Sequence, residues 1–299
     1  MVAALRAFAE DGRDIDLTAT VHSDVPPPLA AVFEHPFCHV VRGDLCDHSV
    51  RGRLPLADLI VHCTGYGQPG RFLESPLKTI RLNSEVTCDL IERLRPGGRL
   101  LFVSSTEVYS GLPSGNRYRE DQIGVTGPHH PRACYIEGKR CGETACYSAF
   151  QSGLGALSVR LAQTYGPGAK RGDRRALYSF IEQALFRKHI TLLDNGAAVR
   201  TYCYAADAAR MMLTVLLKGT QPVYNVGAAT SIRIGDVATQ VGDLLHVPVT
   251  FPDESQPSPG AADSVMIDMS RYDSEFGGES YIGFDVGLQR TVDWHKQFV

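Results

Sequence analysis

Apolar and polar positions alternate with two different periods through the first 165 residues. Residues 2–10 read as a short amphipathic helix. Asp16–His22, His39–Gly43 and Ala57–Cys63 read as strands. The third is apolar almost throughout, as a parallel strand covered on both faces must be. Pro26, Pro27 and Pro28 break the chain after the first strand. A helix is predicted over Pro76–Leu94, ended by Pro96-Gly97-Gly98. Arg99–Ser105 is a fourth strand, Pro131–Gln151 a further helix and Leu154–Arg160 a fifth strand. Beyond Gly166 the pattern loosens. A loop over Gly166–Asp173, a helix over Arg175–Lys188 and a short hairpin from Leu192 through Asn195 to Val199 are expected. The helix Ala205–Leu217 and the strand Val223–Val226 follow, and Pro252–Ala262 reads as a surface loop.

Strands alternating with helices at this spacing imply βαβ units, hence an α/β fold with a parallel sheet. Ligands of such sheets sit beyond the carboxyl ends of the strands. Thr64, the segment Ser104 to Glu107, and the segment Gln163 to Gly166 fall there.

Composition narrows the function. With 30 Lys+Arg against 33 Asp+Glu the net charge is −3, which argues against non-specific nucleic-acid binding. No apolar run approaches the ~20 residues of a membrane helix. The first ten residues lack the ordered basic, apolar and cleavage segments of a secretory signal. The eight cysteines form no Cys-x-x-Cys, and none pairs with a His at zinc-ligand spacing, so no metal is expected. They read as reduced thiols of a cytoplasmic protein.

The sharpest local signal is Tyr135-Ile-Glu-Gly-Lys139, because positions i and i+4 share a helix face. Only about 0.1% of a free tyrosine is phenolate at neutral pH. A nearby cation favours the phenolate, and bringing the phenol to neutrality takes about 4 kcal/mol. The expected product is a general base that works near neutral pH. A strand ending in Ser104-Ser105-Thr106-Glu107 offers hydroxyls to the same pocket. Together these groups suit the oxidation of a secondary alcohol, with a nicotinamide as hydride acceptor.

At this point the residues resemble a family, the extended short-chain dehydrogenase/reductases, or NAD-dependent epimerases/dehydratases of nucleotide sugars. Gly43-Asp44-Leu45 resembles the adenine-contacting turn, and Asp58 to Gly65 the fourth strand and its cofactor loop. Ser104 to Tyr109 and Tyr135 to Lys139 resemble the catalytic segments. Arg160 to Pro167, Arg200 to Asp207, Tyr224 to Gly227 and Gly287 to Trp294 resemble later signatures in order. Pro131 to Arg140 is most similar to the UDP-glucuronate decarboxylases. The resemblance implies a Rossmann-like doubly wound parallel sheet with a smaller α/β substrate domain. The division would be residues 1–166 plus about 200–227, against about 167–199 plus 228–299. It implies NAD held by Asp44, Leu45, Cys63, Thr64, Gly65, Tyr135 and Lys139. Ser105, Thr106, Glu107, Tyr135 and Lys139 would be catalytic, and Gln163, Arg200 and Tyr109 would bind the nucleotide sugar. A homodimer through the helices around 76–94 and 131–151 is implied as well.

Three departures stand out. Gln163 replaces the family's usual Asn. The Arg that decarboxylases carry late in the chain falls near Val265. The Gly-x-x-Gly-x-x-Gly turn that brings backbone to a dinucleotide's pyrophosphate is absent. Residues 1–5 instead resemble the middle of the family's first helix. A missing five-residue central strand would remove about ten ladder bonds, or about 5–15 kcal/mol. The chain is therefore expected either to start upstream of Met1, or to rearrange its sheet and bind NAD poorly. The alternative function is a catalytically silent homologue that binds sugar nucleotides or serves as a partner subunit.

Overall fold

Leu100 and Phe102 point to one side of a strand, Leu101 and Val103 to the other, and all four are buried. This is the two-residue period of an extended chain with a core on each face. The computed structural model describes every residue except 1, 3, 4, 6–9, 13, 24, 26, 229, 254–259, 261, 263 and 279. Most of the helix read over 2–10 and of the loop 252–262 lies outside the described residues.

The strands are β1 (Leu17–Val21), β2 (Cys38–Arg42), β3 (Ala57–His62), β4 (Leu94–Ser105), β5 (Arg117–Tyr118), β6 (Gly155–Leu161) and β7 (Gln163–Tyr165). They continue as β8 (Ile190–Thr191), β9 (Val199–Tyr204), β10 (Val223–Val226), β11 (Ser231–Arg233), β12 (Val249–Thr250) and β13 (Ser264–Ile267). A four-stranded parallel sheet runs β10-β6-β4-β3. Helices Pro76–Asn83, Glu85–Ile91 and Ala133–Gln151 bury Leu82, Val86, Leu90 and Cys146 with Leu100 and Phe102. Helix Ala205–Lys218 buries Met211 and Val215 against the opposite face, with Leu101 and Val103. The fold is a doubly wound, Rossmann-like α/β sheet. A second sheet runs β11-β9-β13-β5, with β7 against β9, and β8 pairs with β12. Another core, including Ile181, Ile190, Val237 and Val292, lies among the helices beyond it.

β1 and β2 pair only with each other, and β3 is the outer strand of its sheet among the described residues. Leu56 and Leu59 are accordingly 55% and 48% exposed. Among the described residues, β1-β2 and β10-β6-β4-β3 are thus two separate parallel sheets.

Other expectations are corrected. The helix over 76–94 is two helices, broken at Ser84, whose Oγ donates to the Ile80 carbonyl at 2.8 Å. β4 begins five residues before Arg99. It passes through Pro96-Gly97-Gly98 because the register against β3 shifts between Ala57 and Leu59. No hairpin joins Leu192 to Val199. Asp194 and Asn195 cap the backbone N–H groups of Gly196 and Ala197, and Val199 enters the second sheet. The helix from 175 is α over Ala176–Glu182 and π over Gln183–Arg187, ending at Lys188 with φ 56°.

Helix Ala133–Gln151 lies close on β4. A Cβ at Gly142 would stand 2.3 Å from the Phe102 ring and 2.6 Å from the Asn83 carbonyl. Only glycine fits there, and this approach sets the height of Tyr135 and Lys139 over the strand ends.

Candidate active site

The last two residues of β4 diverge, as strand geometry requires. Ser104 turns inward and donates to Glu143 at 2.5 Å, and Glu143 pairs with buried Arg160 at 2.9 Å. Ser105 turns to the other side and caps the short 3-10 helix Thr106–Tyr109, its Oγ accepting from Glu107 N at 3.2 Å. Its hydroxyl also hydrogen-bonds the Tyr135 phenol. Thr106 is buried beside it.

Glu107 Oε1 accepts from Arg132 at 2.8 Å, while Oε2 is buried with no hydrogen-bond partner among the described residues. The Arg132 carbonyl accepts from Tyr135 N and Ile136 N at the start of the helix. One residue therefore ties the Glu107 segment to the Tyr135 helix. The Tyr135 ring stacks on Phe72, 4.6 Å between centroids and 13° from parallel.

Burial pushes the Tyr135 phenol up to about 12, and Glu107 adds to this. The Ser105 hydrogen bond and the Arg175 and Arg132 charges act the other way. The expectation that Lys139 brings the phenol to neutrality is corrected. Lys139 Nζ lies 5.7 Å from the Tyr135 ring centroid and donates to the Val103 carbonyl at 2.7 Å. Burial of the ammonium lowers Lys139 to about 8, against the fields of Cys63 and Glu143.

Beside Lys139 is a cradle. Gly65, at φ +151°, leaves room for a Cβ that would lie 3.7 Å from Asn83 Oδ1 and 3.8 Å from Lys139 Nζ. Asn83 is fully buried, its Nδ2 donating to the Thr79 carbonyl at 2.7 Å, and its Oδ1 has no hydrogen-bond partner among the described residues. A ribose with its hydroxyls suits an acceptor and an ammonium so placed. Cys63, at the end of β3, is exposed next to Thr64.

A second cavity of about 110 Å³ opens along the strand ends, lined by Val21, Asp44, Leu45, Thr64, Tyr66 and Lys78 among others. Asp44 Oδ1 accepts from Cys46 N at 2.9 Å and its Oδ2 pairs with Lys78 at 2.5 Å. The turn before it needs glycine, since Gly43 has φ +146° and a Cβ there would meet Val50 Cγ2 at 2.6 Å.

The substrate-side residues lie apart from these cavities. Gln163 in β7 is opposite Tyr202 of β9, and Arg200 is two residues earlier on β9, so the three share a sheet face. Arg200 donates to the carbonyls of Val199 and Ala262. Val265 is its neighbour in β13. Tyr109, expected on the substrate, is 1% exposed. Its hydroxyl donates to Asn225 Oδ1 at 2.7 Å and Arg160 covers its ring, so it belongs to the core. Asn83, Phe72, Arg132 and Arg175 were not singled out in the sequence. Of these only Arg132 carried a signal, its place in Pro131-Arg-Ala-Cys-Tyr135. As for metals, His48, Glu85 and Asp89 converge, but the Arg51 guanidinium already binds both carboxylates.

His62, at the end of β3, is 1% exposed, with Nε2 on the Leu82 carbonyl at 3.0 Å. Burial lowers it to about 3 from 6.5, and Lys139 adds to this. The unfolded chain therefore takes up a proton below pH 6.5 that the folded chain refuses until about pH 3. Stability is intact above pH 6.5 and falls with pH across that window, by about 1.4 kcal/mol per pH unit. Urea melts between pH 7 and 4 should show this slope, and His62→Gln should flatten it. An identical slope in the variant would assign the acid sensitivity elsewhere.

The NAD dependent epimerase/dehydratase family matches over residues 3–227. UDP-glucuronic acid decarboxylase 1 of Xenopus tropicalis is 28% identical over 259 residues, covering 85% of this chain and 61% of the relative. UDP-glucuronic acid decarboxylase 6 of Arabidopsis thaliana is 31% identical over 218 residues, covering 71% of this chain and 61% of the relative. The chain thus spans about three fifths of the length of these curated relatives. A dTDP-glucose 4,6-dehydratase from Streptomyces venezuelae, solved with NAD and TYD bound, superposes with TM-score 0.84 at 22% identity, over 98% of this chain and 91% of that one. UDP-glucose 4-epimerase from Thermotoga maritima, solved with UDP-glucose, gives TM-score 0.83 at 18% identity, over 99% and 95%. These two likenesses concern the fold. Among the described residues, no helix is long and apolar enough to cross a membrane.

Proposed function

Because the chain belongs to the NAD dependent epimerase/dehydratase family, we propose that it oxidises C4 of a nucleotide sugar, as an epimerase, 4,6-dehydratase or decarboxylase does. NAD is the cofactor of the family. The observation that carries the reading is the convergence of Ser105, Glu107 and Tyr135, next to the Gly65 cradle walled by Asn83 and Lys139.

The residues fit the two ends of NAD. Lys139 and Asn83 would hold the nicotinamide ribose over Gly65, next to Thr64 and Cys63. Asp44 and Leu45 would hold the adenosine end in the neighbouring cavity. When bound, NAD supplies the hydride acceptor. Tyr135 Oη takes the proton of the sugar 4-hydroxyl, and Ser105 Oγ holds the same oxygen. Thr106 would help shape the floor. A ketone at C4 acidifies C5 or loosens a carboxylate there, and Glu107 Oε2 is the open acceptor for a second proton. Gln163 and Arg200 hold the nucleotide portion.

Denaturing the purified protein should release NAD, and supplying NAD with a nucleotide sugar should give a product altered at C4. A second reading is a binding subunit without turnover. Phe72 stacked on Tyr135, and a phenol near 12, favour it. Sugar-nucleotide binding without released NAD or product would select that reading.

Arg200 matches a diphosphate by charge and forked geometry. Arg200→Ala should weaken nucleotide-sugar binding at least tenfold, about 1.4 kcal/mol, by calorimetry. Unchanged binding would leave Arg200 a tie between β9 and the Ala262 segment.

We place the protein in the cytoplasm, with the two-domain division given by the sequence. We further propose a homodimer through helices Pro76–Asn83 and Ala133–Gln151, where Leu77 and Tyr147 are 72% and 52% exposed. Light scattering should give twice 32.6 kDa at micromolar concentration. A 32.6 kDa particle would exclude the dimer.

A further inference from the structure

A cavity of about 300 Å³ is lined by Tyr66, Gln68, Arg71, Glu74, Ser75 and Arg174, with two glycines. Its two arginines come from different segments. Arg71 lies in the helix Pro69–Glu74 that follows β3, and Arg174 in the loop that follows β7. The Arg174 guanidinium reaches across the gap, its Nη1 lying 4.0 Å from where a Cβ at Gly70 would stand. Neither guanidinium makes a hydrogen bond or ion pair with a described residue. Glu74, one turn from Arg71, is the single carboxylate among the lining residues and bridges neither. Two like charges held toward one concavity without a counter-ion repel each other, and a bound oxyanion relieves that repulsion.

We propose that Arg71 and Arg174 form an oxyanion site for the nucleotide-sugar ligand, taking a diphosphate or a sugar carboxylate. This rests on the nucleotide-sugar reading above. The location favours that ligand. The loop that carries Arg174 leaves β7, where Gln163 lies, and its next residue, Arg175, acts on the Tyr135 phenol. The cavity also shares Tyr66 with the one along Asp44 and Thr64, so it continues from the cofactor region toward the loop. A cation pair here would supply charge that the chain lacks at Val265.

The test is calorimetry on the intact chain and on Arg71→Gln/Arg174→Gln, with UDP, UDP-glucose, UDP-glucuronic acid and NAD as probes. Both side chains are exposed, so the variant should melt with the wild type. The expected result is at least a tenfold rise in Kd for sugar nucleotides and a shallower salt dependence, with NAD unaffected. Equal loss for all three uridine ligands assigns the diphosphate. Loss confined to UDP-glucuronic acid assigns the carboxylate. Unchanged affinities, or a loss confined to NAD, overturn the site. If the wild type binds no sugar nucleotide, the substrate reading has failed. Inorganic pyrophosphate alone then decides: binding lost in the variant upholds the oxyanion site, and no binding in the wild type overturns it.

Discussion

Tyr135→Phe should abolish oxidation at C4, by about 10²- to 10⁴-fold in turnover, while sugar-nucleotide binding survives. That range is what a positioned acid–base group contributes. The substitution keeps the ring, and with it the stack on Phe72 at 4.6 Å. It removes the group that takes the proton of the sugar 4-hydroxyl. The folding cost is about 1 kcal/mol, one hydrogen bond, so lost turnover will not reflect lost structure. The protein alone holds the phenol near 12, which adds a second readout. Below that value the phenolate fraction grows about tenfold per pH unit, so turnover in the wild type should climb with pH above neutrality. Single-turnover absorbance of the reduced nicotinamide, followed from pH 6 to 10, measures both. Near-normal rates in Tyr135→Phe would move the proton transfer to another residue.

The fold was legible wherever a local period decides structure. The strands near 17–21, 38–42, 57–62 and 155–161 appear within a residue or two of their expected places. Their apolar runs are forced by cores on both faces. What escaped was decided by partners far away in sequence. The π segment Gln183–Arg187 and the strand Val199–Tyr204 have no period of their own, and β9 exists because β7, β11 and β13 lie beside it. The same split holds in the site. Tyr135 and Lys139 were visible through their spacing, and Ser105 and Glu107 through their place after an apolar strand. Asn83 is the last residue of its helix, in Leu82-Asn83-Ser84, and its side-chain amide oxygen gains meaning only when the helix docks over Gly65. Burial is also why the inference from spacing to a lowered phenol failed. Lys139 is on the correct face, but its ammonium spends its hydrogen bond on Val103, and desolvation outweighs the remaining charges.

Lys139→Met should stabilise the protein alone at pH 7 and weaken NAD binding. Burial of the ammonium lowers Lys139 from 10.5 to about 8. Below about pH 8 both folded and unfolded chains carry the proton, and the folded chain bears the whole desolvation penalty, roughly 3 kcal/mol. Between pH 8 and 10.5 the folded chain sheds its proton first, so wild-type stability rises with pH across that window. Methionine matches the length of the stem without the charge, but leaves the Val103 carbonyl without its 2.7 Å donor, a loss of about 1 kcal/mol. The net gain should be about 2 kcal/mol in urea melts at pH 7, and it should vanish by about pH 10.5. Equal or lower stability of Lys139→Met at pH 7 would show that the ammonium is adequately solvated where it sits. Over the same range NAD affinity should fall at least tenfold, because the cradle over Gly65 keeps Asn83 and loses its cation. A side chain that lowers stability when the site is empty is retained by what it does when the site is full, and the two measurements separate those roles.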